Sequence, residues 1–500
     1  MLDGGRRIHS CGEGDIRMRE YAGYIPHIGD EPIETRVLTF EKNGERVEVE
    51  VPLLTVEQLN KVIEKVKQAS AQFLKSLSVT EIINLLDRVM EQLLDRRHPY
   101  RQKAEQVLPI VTGYDEEMVR LGLTSYFKTF RKPQLQRFLV EDLENPLLLD
   151  DFQPRPKGGL SKAVGPDVIV HVWAGNVPAL PLWSLISGLL VKSGNIGKVS
   201  SAEPLFAGWF ARLLVEVEPK LADCLAVVWW KGGDVERERA VFGQADVVVG
   251  YGSNASLEEM QRRLPVTTRF LPFGHKLSFG IVSRSCLDAR KAWHVAHQAA
   301  FDIVRYDQQG CYSPHLFYVQ TGGIVSPKEF ARYVAHELNC FVKRFPRRPL
   351  SLEEMAAQAS WRQREELDVL VNKEKEVLGN EAGDWTVVYE PERREFAASC
   401  LNRVVKIVAF DDISQIISEI APYRAFLQTV GVAASPKELF EWAEWLGKAG
   451  ATRVTALGHM TSPEAGWHHD GRFNLRDLVQ MVDIESAAEA YAEQFAPYVD

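Results

Sequence analysis

Val168 to Val191 reads VIVHVWAGNVPALPLWSLISGLLV. The run is apolar and long enough to span a bilayer. His171, Asn176, Pro178 and Pro181 break it in the middle, and backbone groups freed by such breaks find no partner in lipid. It reads better as a strand over 168–172, a turn, and a buried helix over 179–192, so no membrane span is expected. The same rhythm continues downstream. Strands are expected over 196–200, 224–230 and 246–250, with helices over 203–217, 235–242 and 254–263. Continuous apolar strands separated by amphipathic helices require a parallel sheet covered on both faces. The fold class expected is therefore α/β, a doubly wound parallel sheet of the dinucleotide-binding kind. No G-x-G-x-x-G follows the first strand, so the ordinary fingerprint of that fold is missing. A second alternating region runs from Ile281 to about residue 455. The charged stretch from Lys343 to Glu376 reads as a solvated helical excursion, with Lys343, Arg344, Arg347 and Arg348 as surface rather than as a phosphate site.

Upstream, residues 1–150 read as an accessory region joining the cofactor unit. Thr35–Phe40 and Arg46–Val51 flank Asn43-Gly44, a hairpin turn. Thr55 with Gln58, and Ser78 with Glu81, are capping boxes that open two helices. Residues 101–149 read as helical. The first thirty residues hold no apolar block of the signal-peptide kind. The whole chain has 500 residues, 45% apolar and 25% charged, as in an ordinary globular enzyme. Lys plus Arg number 59 against 68 Asp plus Glu, a net charge of −9. That excludes a basic, generic nucleic-acid binder and leaves room for local pockets for phosphorylated ligands. The six cysteines, at 11, 224, 286, 311, 340 and 400, form no C-x-x-C pair. Neither a zinc knuckle nor a disulfide framework is indicated, and a reducing cytoplasm is the expected compartment.

Four places carry chemistry. In Gln309-Gly310-Cys311 a glycine lets backbone approach a thiol. A thiolate there can attack a carbonyl carbon while its own N–H holds the oxyanion. Asn176 stands where a strand gives way to a helix, the edge at which parallel-sheet sites form. Its amide can donate to the same oxyanion, or it can simply cap the helix. Lys198 ends a strand, and Gly252-Ser253 ends another and opens a helix, a natural seat for a pyrophosphate. His275 and His315 lie close to these motifs in sequence and are candidate acid/base groups, although a lone histidine is more often structural. His468-His469-Asp470 lacks the spaced ligands of a metal site, so no metal is expected.

Taken together, in this order and spacing, the motifs resemble the aldehyde dehydrogenase superfamily from about Ser161 onward. Three passages are similar to the acyl-CoA reductases of the bacterial bioluminescence type, the fatty acid reductases. They are HVWAGNVPALPLWSLISGLLVKSGNIGKVSSAEPLFA, DQQGCYSPH and HHDGRFNLRDLVQMVDIE. The resemblance implies Cys311 as nucleophile and Asn176 in the oxyanion hole. It implies Lys198 at the adenine-side ribose, and Gly252 and Ser253 over the pyrophosphate. Hydrolytic members carry a water-activating glutamate where this chain has Pro272. Proline is no base, so an acyl-cysteine would persist to be reduced or exchanged. Members that prefer NAD often carry a glutamate where Ser201 stands, and its loss admits NADPH.

The reading is an NADPH-dependent acylating enzyme that reduces a long-chain fatty acyl-CoA to the aldehyde through an acyl-cysteine thioester. The alternatives are an oxidative aldehyde dehydrogenase for long-chain aldehydes and a non-catalytic scaffold of the same fold. The resemblance implies a cofactor domain over 151–280, a catalytic domain over 281–455, and a tail over 456–500 for interdomain and oligomer contacts. It also implies a homo-oligomer, dimer or tetramer, and an acyl-activating partner enzyme that supplies the acyl group.

Overall fold

A computed structural model describes residues 17–392 and 396–497. β1 (Arg17–Tyr21), β2 (Glu34–Lys42) and β3 (Glu45–Leu53) form a small sheet in the order β1-β3-β2. β2 and β3 turn on Asn43 and Gly44, at φ 53° and 85°, the positive angles that a two-residue hairpin demands. α1 (Val56–Gln72) and α2 (Val79–Leu94) both open on the expected capping boxes. α3 (Pro99–Thr112), α4 (Glu116–Lys128) and α5 (Lys132–Leu143) complete this region. The short β4 (Gln153–Pro154) and β5 (Leu160–Val164) follow.

The stretch from 168 to 273 gives a five-stranded, all-parallel sheet. Its strands are β6 (Val168–Val172), β7 (Gly194–Lys198), β8 (Leu225–Val228), β9 (Val247–Tyr251) and β10 (Arg269–Phe273), in the order β10-β9-β6-β7-β8. The connecting helices are α6 (Leu182–Leu190), α7 (Phe206–Val217), α8 (Val235–Phe242) and α9 (Asn254–Arg263). Val168, Val170, Ile196 and Val248 pack on residues of α1, α8 and α9. Ile169, Val227 and Val249 share the opposite core with α6, α7 and the N-terminal helices. Alternate residues thus bury against opposite layers, as a doubly wound sheet requires.

α6 and α7 each start three residues later than the sequence pattern implies. Hydrophobic periodicity does not see what happens at their entrances. Ala179 takes φ 62° in a turn bounded by Pro178 and Pro181, and proline disfavours a helical residue before it. Glu203 stays outside α7, where its carboxylate accepts the Leu205 and Phe206 N–H groups at 2.8 and 2.9 Å.

A seven-stranded sheet follows, in the order β13-β14-β15-β12-β11-β16-β17. These are β11 (Leu277–Val282), β12 (Pro314–Gln320), β13 (Glu376–Gly379), β14 (Thr386–Glu390), β15 (Val404–Phe410), β16 (Leu427–Ala433) and β17 (Arg453–Ala456). β13 alone among them pairs antiparallel. The accompanying helices are α10 (Lys291–Val304), α11 (Pro327–Arg344), α12 (Leu352–Val371), α13 (Ile413–Ile420) and α14 (Pro436–Ala449). α12 is the solvated excursion, with Glu365 its one buried residue. Arg347 and Arg348 there are engaged by Gln358, Glu354 and Asn402. Finally β18 (Gln480–Ile484) returns to pair antiparallel with β5, and α15 (Ser486–Glu493) follows it. Among the described residues no helix is long and apolar enough to cross a membrane.

Candidate active site

Cys311 sits just past a strained turn. Tyr306, Asp307 and Gln308 take φ of 49°, 49° and 63° in succession, each costing about 1 kcal/mol or more for a residue with a side chain. Buried polar contacts hold them there. Asp307 accepts from the Arg403 Nε at 2.7 Å and from the Arg348 N–H at 3.1 Å. Gln308 donates to the Pro314 carbonyl at 2.8 Å and accepts the Val404 N–H at 2.9 Å. The Cys311 carbonyl is fixed in turn by the Ser278 hydroxyl at 2.8 Å.

The Cys311 sulfur accepts a hydrogen bond from Gln428 Nε2 at 3.4 Å. The same amide nitrogen donates to Asp470 Oδ1 at 2.6 Å, and Asp470 Oδ2 lies 3.4 Å from the Lys276 ammonium. Burial pushes the thiol up to about 11, against the pull of the Gln428 hydrogen bond. The resting group is thus a neutral thiol at pH 7.

Asn176 lies between β6 and α6, and its Nδ2 donates to the Gln309 carbonyl at 2.7 Å. This brings the asparagine to the cysteine turn. The amide has a second hydrogen left for a developing oxyanion. The Asn176 carbonyl accepts the Tyr114 hydroxyl at 2.7 Å, a tie to the N-terminal region.

Lys198 and Ser253 flank β6 at the carboxyl edge of the five-stranded sheet, at the ends of β7 and β9. Lys198 is 9% exposed. Burial lowers its pKa, and the charge of Glu238 opposes that. Glu238 itself pairs with Arg263, and no described carboxylate closes an ion pair with Lys198. Ser253 caps α9, and the Gly252 N–H donates to the Phe273 carbonyl at 3.2 Å. A buried lysine and a helix N-terminus on either side of β6, at the same edge of the sheet, fit the ribose and pyrophosphate of a dinucleotide. Ser201 accepts the Trp229 indole N–H at 3.1 Å.

The histidines stand apart from the sulfur. His315 Nδ1 accepts the Ser399 N–H at 3.3 Å, and burial lowers its pKa to about 4. The His275 N–H donates to Asn254 Oδ1 at 3.3 Å. Neither ring hydrogen-bonds Cys311. No group of metal-ligating side chains occurs among the described residues. His469 instead stacks on Phe273, with ring centroids 4.4 Å apart.

Cys311 opens into a cavity of about 1180 Å³, its mouth included. The walls are mostly apolar and include the aromatic rings of Tyr126, Trp183, Tyr251, Phe273, Tyr312 and Trp467. Gly122, Ser125 and Tyr126 of α4, with Thr129 at its C-cap, form one side, so the N-terminal region helps build the site. Sequence reasoning missed this wall and missed Gln428, Asp470 and Lys276 as neighbours of the sulfur. Gln428 carried one faint signal, a glutamine in an otherwise apolar strand that is 0% exposed.

Solved aldehyde dehydrogenases superpose on this chain. KauB of Pseudomonas aeruginosa does so with a TM-score of 0.71 and 14% identity, over 93% of this chain and 96% of that one. An indole-3-acetaldehyde dehydrogenase in complex with NAD⁺ does so with a TM-score of 0.71 and 15% identity, again over 93% and 96%. The fold is that of the aldehyde dehydrogenases. The profile of the acyl-CoA reductase (LuxC) family matches residues 74–481, and the chain belongs to that family. It is a reductase of the fatty acid reductase group, as the resemblance implied. Its relatives include long-chain acyl-protein thioester reductase 2 of Photobacterium leiognathi, 26% identical over 90% of this chain and 89% of that one. The long-chain acyl-protein thioester reductase of Aliivibrio fischeri is 27% identical over 82% and 83%.

Proposed function

We propose that the protein reduces a long-chain acyl thioester to the fatty aldehyde, with NADPH as reductant and Cys311 as nucleophile. The observation that carries this reading is a thiol hydrogen-bonded by a buried amide at the wall of a mostly apolar cavity. Apolar walls suit an alkyl chain, and the thiol is where a thioester carbonyl would be attacked.

In this reading Cys311 Sγ attacks the acyl carbon. The Asn176 amide and the Cys311 N–H hold the oxyanion. The donor thiol leaves, and an acyl-cysteine remains. A nicotinamide bound here would supply the hydride that reduces it. The resulting thiohemiacetal breaks its C–S bond to give aldehyde and free Cys311. Lys198, Gly252 and Ser253 would hold the dinucleotide, and Ser201, in place of a carboxylate, would admit a 2′-phosphate. Pro272, on β10 beside Phe273, offers no base to hydrolyse the intermediate. This disfavours the oxidative alternative.

The thioester is either an acyl-CoA, as the family's description names, or an acyl group on a partner protein, as the relatives' names have it. We take the acyl-CoA as the substrate for assay and the acyl-protein as the second arm. Cys311→Ala should abolish both labelling by radioactive acyl-CoA and NADPH-dependent aldehyde production. Retained labelling in that variant would overturn the assignment. An acyl-CoA length series run with NADPH and NADH reads chain length and cofactor preference together.

The division at 1–150, 151–280, 281–455 and 456–500 belongs to the same proposal, as does a homo-oligomer formed through the tail. Apolar Val164, Met481 and Val482 on the β5–β18 sheet are each more than a third exposed, which supports the latter. The five described cysteines are all free, as suits a cytoplasmic enzyme.

A further inference from the structure

We propose that Gln428, Asp470 and Lys276 form a positioning relay for the reacting sulfur of Cys311. The proposal rests on Cys311 being the nucleophile. One amide nitrogen, Gln428 Nε2, lies 3.4 Å from Cys311 Sγ and 2.6 Å from Asp470 Oδ1. An amide nitrogen carries two hydrogens, so both contacts are made at once. Gln428 is 0% exposed, which leaves it little freedom to turn elsewhere. Thr452 N–H binds the Gln428 carbonyl at 3.0 Å and fixes the backbone beneath it.

Asp470 orients the amide. Accepting one hydrogen of the NH₂ group aims the other at sulfur and keeps the Gln428 oxygen away from it. A carboxylate so near a thiolate repels it. The Lys276 ammonium, 3.4 Å from Asp470 Oδ2, offsets that charge. The relay therefore presents the sulfur with a fixed donor from a nearly neutral support. Its central member comes from the His469–Gly471 turn, where Asp470 takes φ 55° and His469 stacks on Phe273. Other groups that feel the thiol are Arg453 and the phenols of Tyr251 and Tyr312. His469, its own pKa lowered by burial, is neutral beside them.

A donor at sulfur acts at two steps. It favours the thiolate that attacks the thioester. It acts again when the thiohemiacetal collapses: the C–S bond breaks, its electron pair goes to sulfur, and the alkoxide becomes the aldehyde carbonyl. In between, a thioester sulfur is a poor acceptor, so the acyl-enzyme gains little from it. The relay thus stabilises the states that flank the intermediate more than the intermediate itself.

The test follows alkylation of Cys311 by iodoacetamide in the full-length protein, read by mass spectrometry of the Cys311 peptide across pH. Gln428→Leu should move the alkylation midpoint up and slow the reaction at pH 8 by roughly threefold to tenfold. Its kcat should fall while KM for the acyl thioester stays level. Lys276→Met should also move the midpoint up. Asp470→Asn keeps an acceptor for the amide but removes the charge, so its midpoint should move down. Opposite signs for Lys276→Met and Asp470→Asn are what a purely structural role would not give. Should Gln428→Leu fail to fold, that pair still decides. An unmoved midpoint in Gln428→Leu, or a shift of the same sign in the other two, overturns the relay. Aldehyde production by Cys311→Ala would instead overturn the assignment on which it rests.

Discussion

At the scale of single residues, the proposed mechanism depends on donors aimed at one sulfur and one carbonyl oxygen. Asn176→Ala should slow acyl-enzyme formation by about 10²–10³-fold, the usual loss for one oxyanion donor. Single-turnover labelling with acyl-CoA measures it, and unchanged labelling would remove Asn176 from the oxyanion hole. Cys311 and Asn176 could be singled out as candidates because each sits in a local pattern, Gly-Cys and Gly-Asn-x-Pro, that a short window can hold, and the structure brings Asn176 to the turn that carries Cys311. Gln428 and Asp470 could not be singled out. Each matters only through an approach between segments far apart in the chain, 117 residues for Cys311 to Gln428 and 42 for Gln428 to Asp470. No window reports such a meeting.

At the scale of elements, strand and helix identities in the cofactor sheet followed from periodicity, and α8 and α9 even matched end to end. The entrances of α6 and α7 did not, because a proline-bounded turn and an acidic cap decide them. Caps also set the pH response. Glu438 opens α14 and takes hydrogen bonds from the Ser283, Ser435 and Ser285 hydroxyls at 2.6, 2.6 and 2.8 Å. Burial alone would push its carboxyl up, but these bonds and the Ser435 amide outweigh it and bring the pKa down to about 2. A depressed carboxyl pKa contributes stability above the unfolded value and loses it as pH falls toward the folded one. Glu438→Gln should therefore cost about 1–2 kcal/mol at pH 7, discounted for partial exposure. The gap to wild type should narrow below about pH 4.5. Urea midpoints at pH 7 and pH 4 test this, and an equal gap at both would show that the carboxylate charge is irrelevant.

At the scale of the whole molecule, the N-terminal region has a role that the sequence left open. The Trp183 ring is met by Tyr126 of α4 at 6.3 Å, by Phe130 in the following turn at 4.9 Å and by Phe138 of α5 at 5.9 Å, so this region braces the cavity wall. Amphipathic helices announce that they bury a face, but not which neighbour covers it. The tail is likewise an addition to a distant strand. Gly159, at φ 72°, lies so close to the tail that an added Cβ would stand 2.2 Å from the Ile484 carbonyl. Gly159→Val should detach β18 from β5 and shift the protein to a smaller species in light scattering. An unchanged mass would mean that assembly does not run through this sheet.

The order in which the chain is made bears on Asp470. It follows Cys311 by 159 residues, which at about 5–20 residues per second is roughly 8–30 s of translation. For that interval the nascent polypeptide holds the thiol without its anchor. A ribosome stalled between the two would release a chain that has Cys311 and lacks the carboxylate to which Gln428 is bonded.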